Sequence, residues 1–252
     1  MLKTSILTTT EINDMDRTAM FHLYDSYYQG ASRKVFRMDL DDKDYVIALK
    51  DHEGVIRGFS TLAIFNERFY ESKIRVIFSG DTIVDKAYWG QNPLSQTWIE
   101  FAGHIKAGAP EIPLYWLLIV KGHRTYRYLS IFSNQYFPRY ERETPAEYQE
   151  LMHYLGNERF GDSYNPESGL VLFPEPRSYL IPELAVIPDK DRERPEIKYF
   201  LERNPQYYEG DELLCLCELQ EQNLTNLASR WFKDGYSQRY FNDSRKLHLQ
   251  PT

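Results

Sequence analysis

The sequence predicts an α/β fold in which helices flank a mixed sheet. Residues 73–106 read as a strand, a tight polar loop and a helix, and residues 114–120 form an unbroken apolar run. A strand that is apolar on both faces usually lies inside a sheet covered by helices. A strand, a helix and a second strand at this spacing form a right-handed crossover, so we expect the two strands to be parallel neighbours.

The elements that precede this unit are a strand, a helical region and a hairpin. Residues 6–9 are predicted as the first strand, and residues 45–49 and 56–64 as a hairpin that turns at Glu53 and Gly54. Residues 12–28 are predicted as the helical region. Its expected core residues are Met15, Ala19, Phe21, Leu23 and Tyr24.

The junction between the strand and the helix of the crossover carries the main functional signal. Asn92 is expected at the N-cap and Pro93 at the first helical position, where its missing N–H costs nothing. The first N–H groups of a helix and its dipole together form a site for an anion such as a phosphate. Gly80 inside the strand predicts a bulge. The helix is expected to bury one face, which consists of Leu94, Trp98, Phe101, Ala102 and Ile105.

The stretch from Val84 to Gly90 resembles the end of the fourth strand and the pyrophosphate loop of the GCN5-related N-acetyltransferase (GNAT) superfamily. The resemblance covers roughly residues 5–138 and rests mainly on the order of the elements. It implies a mostly antiparallel sheet with a splayed pair of parallel strands that admits the pantetheine arm of an acyl-CoA. The residues that it implies for co-substrate binding are Ile83, Val84, Trp89, Gly90, Gln91, Asn92 and Leu94.

Two positions depart from the family pattern. Only Gly90 matches a glycine of the pyrophosphate loop, and Phe132 stands where many members have a tyrosine that protonates the leaving thiolate. The resemblance therefore implies an acyltransferase with altered groups. Its donor would be an acyl-CoA or an acyl-carrier-protein thioester, and the acyl group is expected to include long chains. Its acceptor would be a small-molecule amine or hydroxyl. The alternative is a non-catalytic module of the same fold that binds an acyl or lipid-like ligand.

Four residues are candidates for the chemistry of thioester aminolysis, which needs a base and proton donors. Asp81 lies beside the expected bulge, and His123 follows the central strand with an unperturbed pKa near 6.5. Tyr126 and Tyr128 are candidates for the missing general acid, although only one of them can face a cleft. The alternatives are that Asp81 is a turn residue and that His123 is an exposed loop residue.

Composition sets outer limits on function. The 252 residues carry a net charge of -7, which argues against general nucleic-acid binding. Cys215 and Cys217 alternate along an apparent strand and are expected to be buried packing residues. No signal peptide, membrane-spanning run, metal-binding pair or nucleotide-binding loop is recognised, so the expected setting is the cytoplasm and no metal is expected. The twenty tyrosines either pack at domain edges or line a tunnel.

The chain is predicted to have three parts. Residues 1–138 form the acyltransferase-like core, residues 139–211 an inserted cap, and residues 212–252 a final strand and helix followed by a polar tail. A helix is expected near residues 145–155, ended by Gly156, since 144–147 has the spacing of a capping box. Further elements are expected at 169–173 (strand), 195–203 (helix), 213–219 (strand) and 224–232 (helix).

Overall fold

A computed structural model describes residues 2–173 and 178–237. The strands are β1 (Lys3–Thr8), β2 (Tyr28–Gln29), β3 (Tyr45–Lys50), β4 (Ile56–Phe69), β5 (Ser72–Val84), β6 (Leu114–Val120), β7 (Tyr164–Asn165), β8 (Leu170–Val171), β9 (Tyr179–Leu180) and β10 (Glu212–Glu218). The helices are α1 (Asp14–Asp25), α2 (Arg33–Asp41), α3 (Pro93–Ala107), α4 (His123–Phe132), α5 (Ala146–Phe160), α6 (Pro182–Ala185), α7 (Asp189–Arg192), α8 (Pro195–Arg203) and α9 (Asn226–Ser237).

The main sheet has eight strands in the order β1-β3-β4-β5-β6-β10-β8-β7. Among the described strands of this sheet, β5 and β6 pair in parallel and every other neighbouring pair is antiparallel. Strands β2 and β9 form a separate two-stranded sheet. The predicted fold class is confirmed: a mixed, mostly antiparallel sheet that contains a parallel pair and is flanked by helices.

The parallel pair separates part-way along its length. Pairing between β5 and β6 runs from Arg75 opposite Leu114 to Ser79 opposite Leu118. Beyond Ser79, β5 continues to Val84 along β4 only, while β6 continues along β10. The sheet therefore opens between two neighbouring strands at its centre, as the resemblance implies.

A bulge in β5 accompanies this separation. Ser60 lies opposite Thr82 and Leu62 opposite Ser79, so Thr61 alone faces both Gly80 and Asp81. A Cβ on Gly80 would lie 2.6 Å from Thr61 Oγ1 and 2.8 Å from Lys43 Cε, so only glycine fits there without a shift of these neighbours. The predicted bulge at Gly80 is confirmed, and it turns β5 away from β6.

Helices cover both faces of the sheet. Side chains alternate along strands, so Ile47 and Leu49 pack on one face and Val46 and Ala48 on the other. The first face, here called the α3 face, is covered by α3, α4, α8 and α9; the second, the α1 face, is covered by α1, α2 and α5. Cys215 and Cys217 are free, fully buried residues of the α3 face, which confirms the packing role predicted for them.

Two local expectations are corrected by the structure, and one helix was missed. Helix α1 begins after the N-cap Asn13, which leaves Met15 in the first turn with 77% of its surface exposed, while Met20 is the buried methionine. Gly156 does not end α5, since the helix continues to Phe160. A Cβ on Gly156 would lie 2.7 Å from the Tyr164 ring, so this glycine allows close packing instead. Helix α2 was not predicted at all.

The segment predicted as a cap takes part in the core. Helix α5 packs on the α1 face, and β7 and β8 extend the main sheet beyond β10. Within the described part of the segment, β9 pairs with β2, so this part crosses to the N-terminal helices. Strand β10 and helix α9 follow as expected, whereas most of the predicted polar tail lies outside the described residues.

Helices α3 and α9 cross at two glycines. A Cβ on Gly103 would lie 2.1 Å from the Phe232 carbonyl oxygen, and one on Gly235 would lie 1.7 Å from the Glu100 carbonyl oxygen. We expect Gly103→Ala and Gly235→Ala each to lower the free energy of unfolding by about 3 kcal/mol, the upper end of the usual cost of overpacking. Urea unfolding followed by circular dichroism measures this.

Gly108 provides the control for this prediction. It caps α3 with ordinary helical dihedral angles, and its added Cβ would meet the Ile105 carbonyl oxygen at 3.4 Å. Gly108→Ala should change the free energy of unfolding by less than about 1 kcal/mol. Equal losses at positions 103, 108 and 235 would show that close approach of the two helices is not the cause.

Candidate functional site

A cavity of about 620 Å³ lies where β5 and β6 diverge, and residues from both faces of the sheet line it. Its position follows from the bulge and from the loss of pairing after Ser79 and Leu118. The residues that the resemblance implied for co-substrate binding all line this cavity: Ile83, Val84, Trp89, Gly90, Gln91, Asn92 and Leu94. Asp81, His123 and Tyr128 line it as well.

The part of the cavity on the α3 face is apolar. Trp98 of α3 and Trp116 of β6 pack with ring centroids 4.6 Å apart, and Trp116 Nε1 donates a hydrogen bond of 2.7 Å to Ser79 Oγ. We call this part the apolar compartment; its lining residues are Leu94, Trp98, Trp116, Leu118, Tyr128 and Phe132. Aromatic and aliphatic walls of this kind favour an apolar group over a charged one.

The part of the cavity on the α1 face is polar. We call it the polar compartment; its lining residues include Tyr24, Tyr28, Asp39, Asp81, Lys121, Ser178 and Glu212. Two ion pairs flank it: Lys43 Nζ lies 2.9 Å from Asp39 Oδ1, and Lys121 Nζ lies 3.3 Å from Glu212 Oε1. The cavity therefore joins two chemically different regions through the gap in the sheet.

Asp81 lies on the bulge, between these two ion pairs. Burial, followed by the nearby carboxylate of Asp39, raises the pKa of the Asp81 carboxyl from its ordinary value of 3.8 to about 7. The ammonium groups of Lys121 and Lys43 act in the opposite direction, but burial outweighs them. A carboxyl group with a pKa near neutrality gains and loses a proton readily, as a general base must.

His123 is the first residue of α4 and is buried against the cavity. Burial, followed by the positive charge of Arg124, lowers the pKa of His123 from 6.5 to about 4. The imidazole is therefore neutral at pH 7 and a weak base. The structure supports neither the base with an unperturbed pKa nor the alternative of an exposed loop residue, because His123 begins a helix and is buried.

Only one of the two candidate tyrosines of α4 faces the cavity, as the sequence predicted. Tyr128 lines the apolar compartment and stacks on Phe132 with ring centroids 5.7 Å apart. Tyr126 is fully buried in the core instead, and its hydroxyl donates a hydrogen bond of 2.8 Å to the Pro138 carbonyl oxygen. Burial raises the pKa of Tyr128, so its hydroxyl keeps its proton at neutral pH.

The mouth of the cavity is formed by residues 89–92 and Arg124. Trp89 Nε1 donates a hydrogen bond of 2.7 Å to the Val84 carbonyl oxygen, and the Arg124 guanidinium lies 5.3 Å from the centre of the Trp89 ring. Gly90 has φ +85°, a conformation that favours glycine. This loop connects the end of β5 to the first turn of α3 at the cavity.

The N-terminus of α3 has the arrangement that the sequence predicted. Asn92 is the N-cap and Pro93 the first helical residue, and the Asn92 side chain makes no capping hydrogen bond to a described backbone N–H. Leu94 and Ser95 of the first turn line the cavity. First-turn N–H groups point out of the helix toward its N-terminus, so they and the helix dipole favour an anion here.

The end of β5 turns backbone groups toward the gap. The Asp85 N–H donates a hydrogen bond of 2.8 Å to the Arg57 carbonyl oxygen of β4. Backbone direction alternates along an antiparallel strand, so Thr82 and Val84 present their N–H and carbonyl groups to the side that β6 has left. The Val84 carbonyl oxygen, which also accepts from the Tyr27 hydroxyl at 3.0 Å, confirms this orientation.

The inserted segment closes one side of the polar compartment. Tyr28 of β2 pairs with Leu180 of β9, and the Ile181 N–H donates a hydrogen bond of 3.0 Å to the Tyr27 carbonyl oxygen. Ser178 and Leu180 line the cavity. Sequence reasoning missed this wall and the carboxylates Asp39 and Glu212, because no local pattern brings α2, β9 and β10 together.

Within residues 2–173 and 178–237, no cluster of three or more histidine, cysteine or acidic side chains is arranged to hold a metal ion. None of the helices in those same ranges combines the length and the apolar character that crossing a membrane requires.

No protein-family model matches the chain, and no curated protein matches it. Solved structures with partial similarity include a conserved protein from Enterococcus faecalis V583 described as a probable N-acyltransferase (10% identity, 53% of this chain, 33% of that chain, TM-score 0.39). A second is a GNAT family N-acetyltransferase from Escherichia coli in complex with CoA (15% identity, 51% of this chain, 68% of that chain, TM-score 0.36). A third is an acetyltransferase from Trypanosoma brucei (16% identity, 52% of this chain, 89% of that chain, TM-score 0.37). The match spans about half of this chain and 33% of the Enterococcus protein.

The raised pKa of Asp81 makes the stability of the fold depend on pH. The folded protein holds this proton more tightly than the unfolded chain, so the stabilisation is complete below pH 3.8 and is lost as pH rises through about 7. The Asp81→Asn variant has no carboxyl group to ionise at this position, so it does not lose stability in this way. We expect the variant to gain more Tm relative to the wild type at about pH 8 than at about pH 5.

Differential scanning calorimetry at the two pH values measures the effect. Glu71→Gln is the control, because the Glu71 side chain is fully exposed in the turn between β4 and β5 and its ion pair with Arg68 is long, at 3.6 Å. Its difference from the wild type should not depend on pH in this range. A pH-independent difference for Asp81→Asn would contradict the burial of this carboxyl group.

Proposed function

We propose that the chain is a divergent member of the GNAT superfamily and an acyltransferase that uses an acyl-CoA thioester as donor. The observation that carries the proposal is the cavity that passes through the sheet between β5 and β6. It brings an anion-binding helix terminus, exposed strand backbone and a carboxyl group with a pKa of about 7 to one place. Acyl transfer from a phosphorylated thioester can use all three, two to bind the donor and one to accept a proton.

The donor would lie along the end of β5. Its phosphates would contact the first turn of α3 beside Gly90 and Asn92, with Arg124 at the mouth. The pantetheine amides would hydrogen-bond to the backbone groups of Thr82 and to the Val84 N–H, as an added strand does, because the Val84 carbonyl oxygen already accepts from Trp89 Nε1 and from the Tyr27 hydroxyl. The thioester would then reach the bulge, where the apolar and polar compartments meet.

Asp81 is the proposed general base. The acceptor, an amine or hydroxyl in the polar compartment, attacks the thioester carbonyl carbon and gives its proton to the Asp81 carboxylate. The C–S bond then breaks, and the leaving thiolate takes the proton of the Tyr128 hydroxyl. Solvent returns that proton to Tyr128 and removes the one on Asp81, so the cycle closes without a metal or a redox step.

His123 has a different role from the base considered in the sequence. Since its imidazole is neutral at pH 7, it carries one N–H that can donate to the thioester carbonyl oxygen as negative charge develops there. A neutral histidine at a helix N-terminus is suited to this, because burial and the nearby arginines oppose its protonation, as does the helix dipole. Asp81 and His123 are thus a base and a hydrogen-bond donor.

Two finer points concern the donor and the acceptor. Four aromatic rings and two leucines line the apolar compartment, which is more apolar surface than an acetyl group contacts, and this favours a longer acyl chain. A loop with one glycine fits a single phosphate as well as a pyrophosphate, so an acyl carrier protein stays a candidate donor. The β2–β9 wall limits the polar compartment, and this favours a small-molecule acceptor over a protein.

The second candidate function is a non-catalytic module of the same fold that binds an acyl or lipid-like ligand. Phe132 favours it, since its ring lines the apolar compartment without a proton to give. The Trp89 indole favours it too, because it already occupies the Val84 carbonyl oxygen at the mouth. The two functions differ in whether the thioester bond is broken.

Release of free thiol from acyl-CoA donors tests the proposal. We expect release in the presence of small primary amines, with kcat/KM higher for octanoyl-CoA than for acetyl-CoA because the longer chain buries more apolar surface. The same donors are tested for heat protection of the protein. Protection without thiol release would favour the binding module, and the absence of both would exclude both functions.

Single substitutions test the assigned groups. Asp81→Asn and Tyr128→Phe should each lower kcat by about 10²–10⁴-fold, the usual contribution of a general acid or base. In the wild type, kcat/KM should rise with pH through about 7, the pKa of Asp81, because the carboxylate form is the base. Stopped-flow or plate assays of thiol release over a pH series measure both effects.

Tyr126→Phe is the matched control on the same helix. It removes a hydroxyl that bonds to the Pro138 carbonyl oxygen, so it should cost about 1 kcal/mol of stability and leave kcat unchanged. A large loss of kcat for Tyr126→Phe with none for Tyr128→Phe would overturn the assignment of the general acid.

A further inference from the structure

Lys121 connects three elements at the polar compartment. It directly follows the last residue of β6, on the strand that leaves β5. Its ammonium donates a hydrogen bond of 2.9 Å to the Ser178 carbonyl oxygen, lies 3.3 Å from Ser178 Oγ and lies 3.3 Å from Glu212 Oε1 of β10. It also lies 5.3 Å from the centre of the Tyr28 ring of β2.

Ser178 relays this contact to the N-terminal part of the chain. Its hydroxyl shares a hydrogen bond of 2.5 Å with the Tyr24 hydroxyl of α1, and Ser178 itself is 1% exposed. The next residues, Tyr179 and Leu180, are β9, which pairs with β2. One ammonium group thus joins the end of β6, the inserted segment and β10, around the compartment proposed to hold the acceptor.

The same ammonium group is one of the charges that face Asp81. The other charged groups near Asp81 are Asp39 of α2, Lys43 just after α2 and Glu212 of β10. The hydroxyls of Tyr24 and Tyr28 also face it, and burial raises the pKa of each, so both are uncharged at neutral pH. Lys43 is committed to Asp39 at 2.9 Å. Lys121 therefore contacts the inserted segment through Ser178 and also places its positive charge near Asp81.

We propose that Lys121 is a positioning residue that couples the inserted segment to Asp81, the base of the proposed reaction. It does so in two ways. Its hydrogen bonds to Ser178 hold β9 against β2 and keep the acceptor wall in place. Its positive charge favours the carboxylate form of Asp81, the form that accepts the acceptor's proton. The inference rests on the proposed function for its role in turnover, although both effects belong to the protein itself.

Three substitutions separate the two effects. Lys121→Arg keeps the charge and the donors, Lys121→Gln keeps a donor but not the charge, and Lys121→Met keeps neither. We expect the titration of Asp81, followed by carboxyl ¹³C NMR without substrate, to move up by about one pH unit in the Gln and Met variants and to stay in place in the Arg variant.

The hold on β9 is measured separately. The Ile181 N–H, bonded to the Tyr27 carbonyl oxygen at 3.0 Å, reports whether β9 stays on β2. Its hydrogen exchange should be faster by about tenfold in Lys121→Met, a factor matching the loss of one charged hydrogen bond, and close to wild type in the Arg and Gln variants. Lys198→Gln, an exposed lysine of α8 paired with Glu193, is the control for loss of one charge and should change neither readout.

Both readouts are independent of turnover, so failure of the proposed function is distinguishable from failure of this inference. An unchanged Asp81 titration in Lys121→Gln, or unchanged exchange at Ile181 in Lys121→Met, overturns the coupling. If Lys121→Met does not fold, the Asp81 titration in the Gln and Arg variants decides. Where thiol release is observed, the pH dependence of kcat/KM should move with the Asp81 titration in each variant.

Discussion

The separation of β5 from β6 after Ser79 and Leu118 is the constraint on which the site depends. Two parallel strands that pair along their whole length leave no space and no free backbone at the centre of a sheet. Here the bulge lies at Gly80, where Thr61 and Lys43 leave no space for a Cβ, and β5 bends away from β6. The gap that results is spanned by no described strand, so a ligand can take the position of the missing one.

Burial of charge is the second consequence of the gap. Asp81 lies on the bulge, where burial outweighs the attraction of two lysines and raises its pKa to about 7. Both lysines are held by other carboxylates, Asp39 and Glu212, and neither is free to neutralise Asp81 fully. A carboxyl group surrounded by satisfied ion pairs keeps a mobile proton, whereas a directly paired one would remain ionised at neutral pH.

Local patterns in the sequence predicted the crossover unit, the helix cap at Asn92 and Pro93, the buried strand β6 and the bulge at Gly80, since each depends on neighbouring residues. The residues implied for the co-substrate follow from the same unit and all line the cavity. Asp39, Glu212 and Ser178 were not predicted, because they reach the cavity from elements far apart in the chain. The pKa of His123 was misjudged for a related reason: burial is a property of the packed helix α4, and a short run of letters does not show it.

The position of the hydroxyl on α4 links the departures from the family pattern to the choice between the two functions. Phe132 and Tyr128 are four residues apart on one helix face and stack on each other, so the chain has a phenol one turn before the position where the family often carries one. A donor seated one turn nearer to the helix N-terminus would bring its sulfur to Tyr128 and its carbonyl to His123. A donor seated at the family position would meet only the Phe132 ring, and the bound thioester would stay intact.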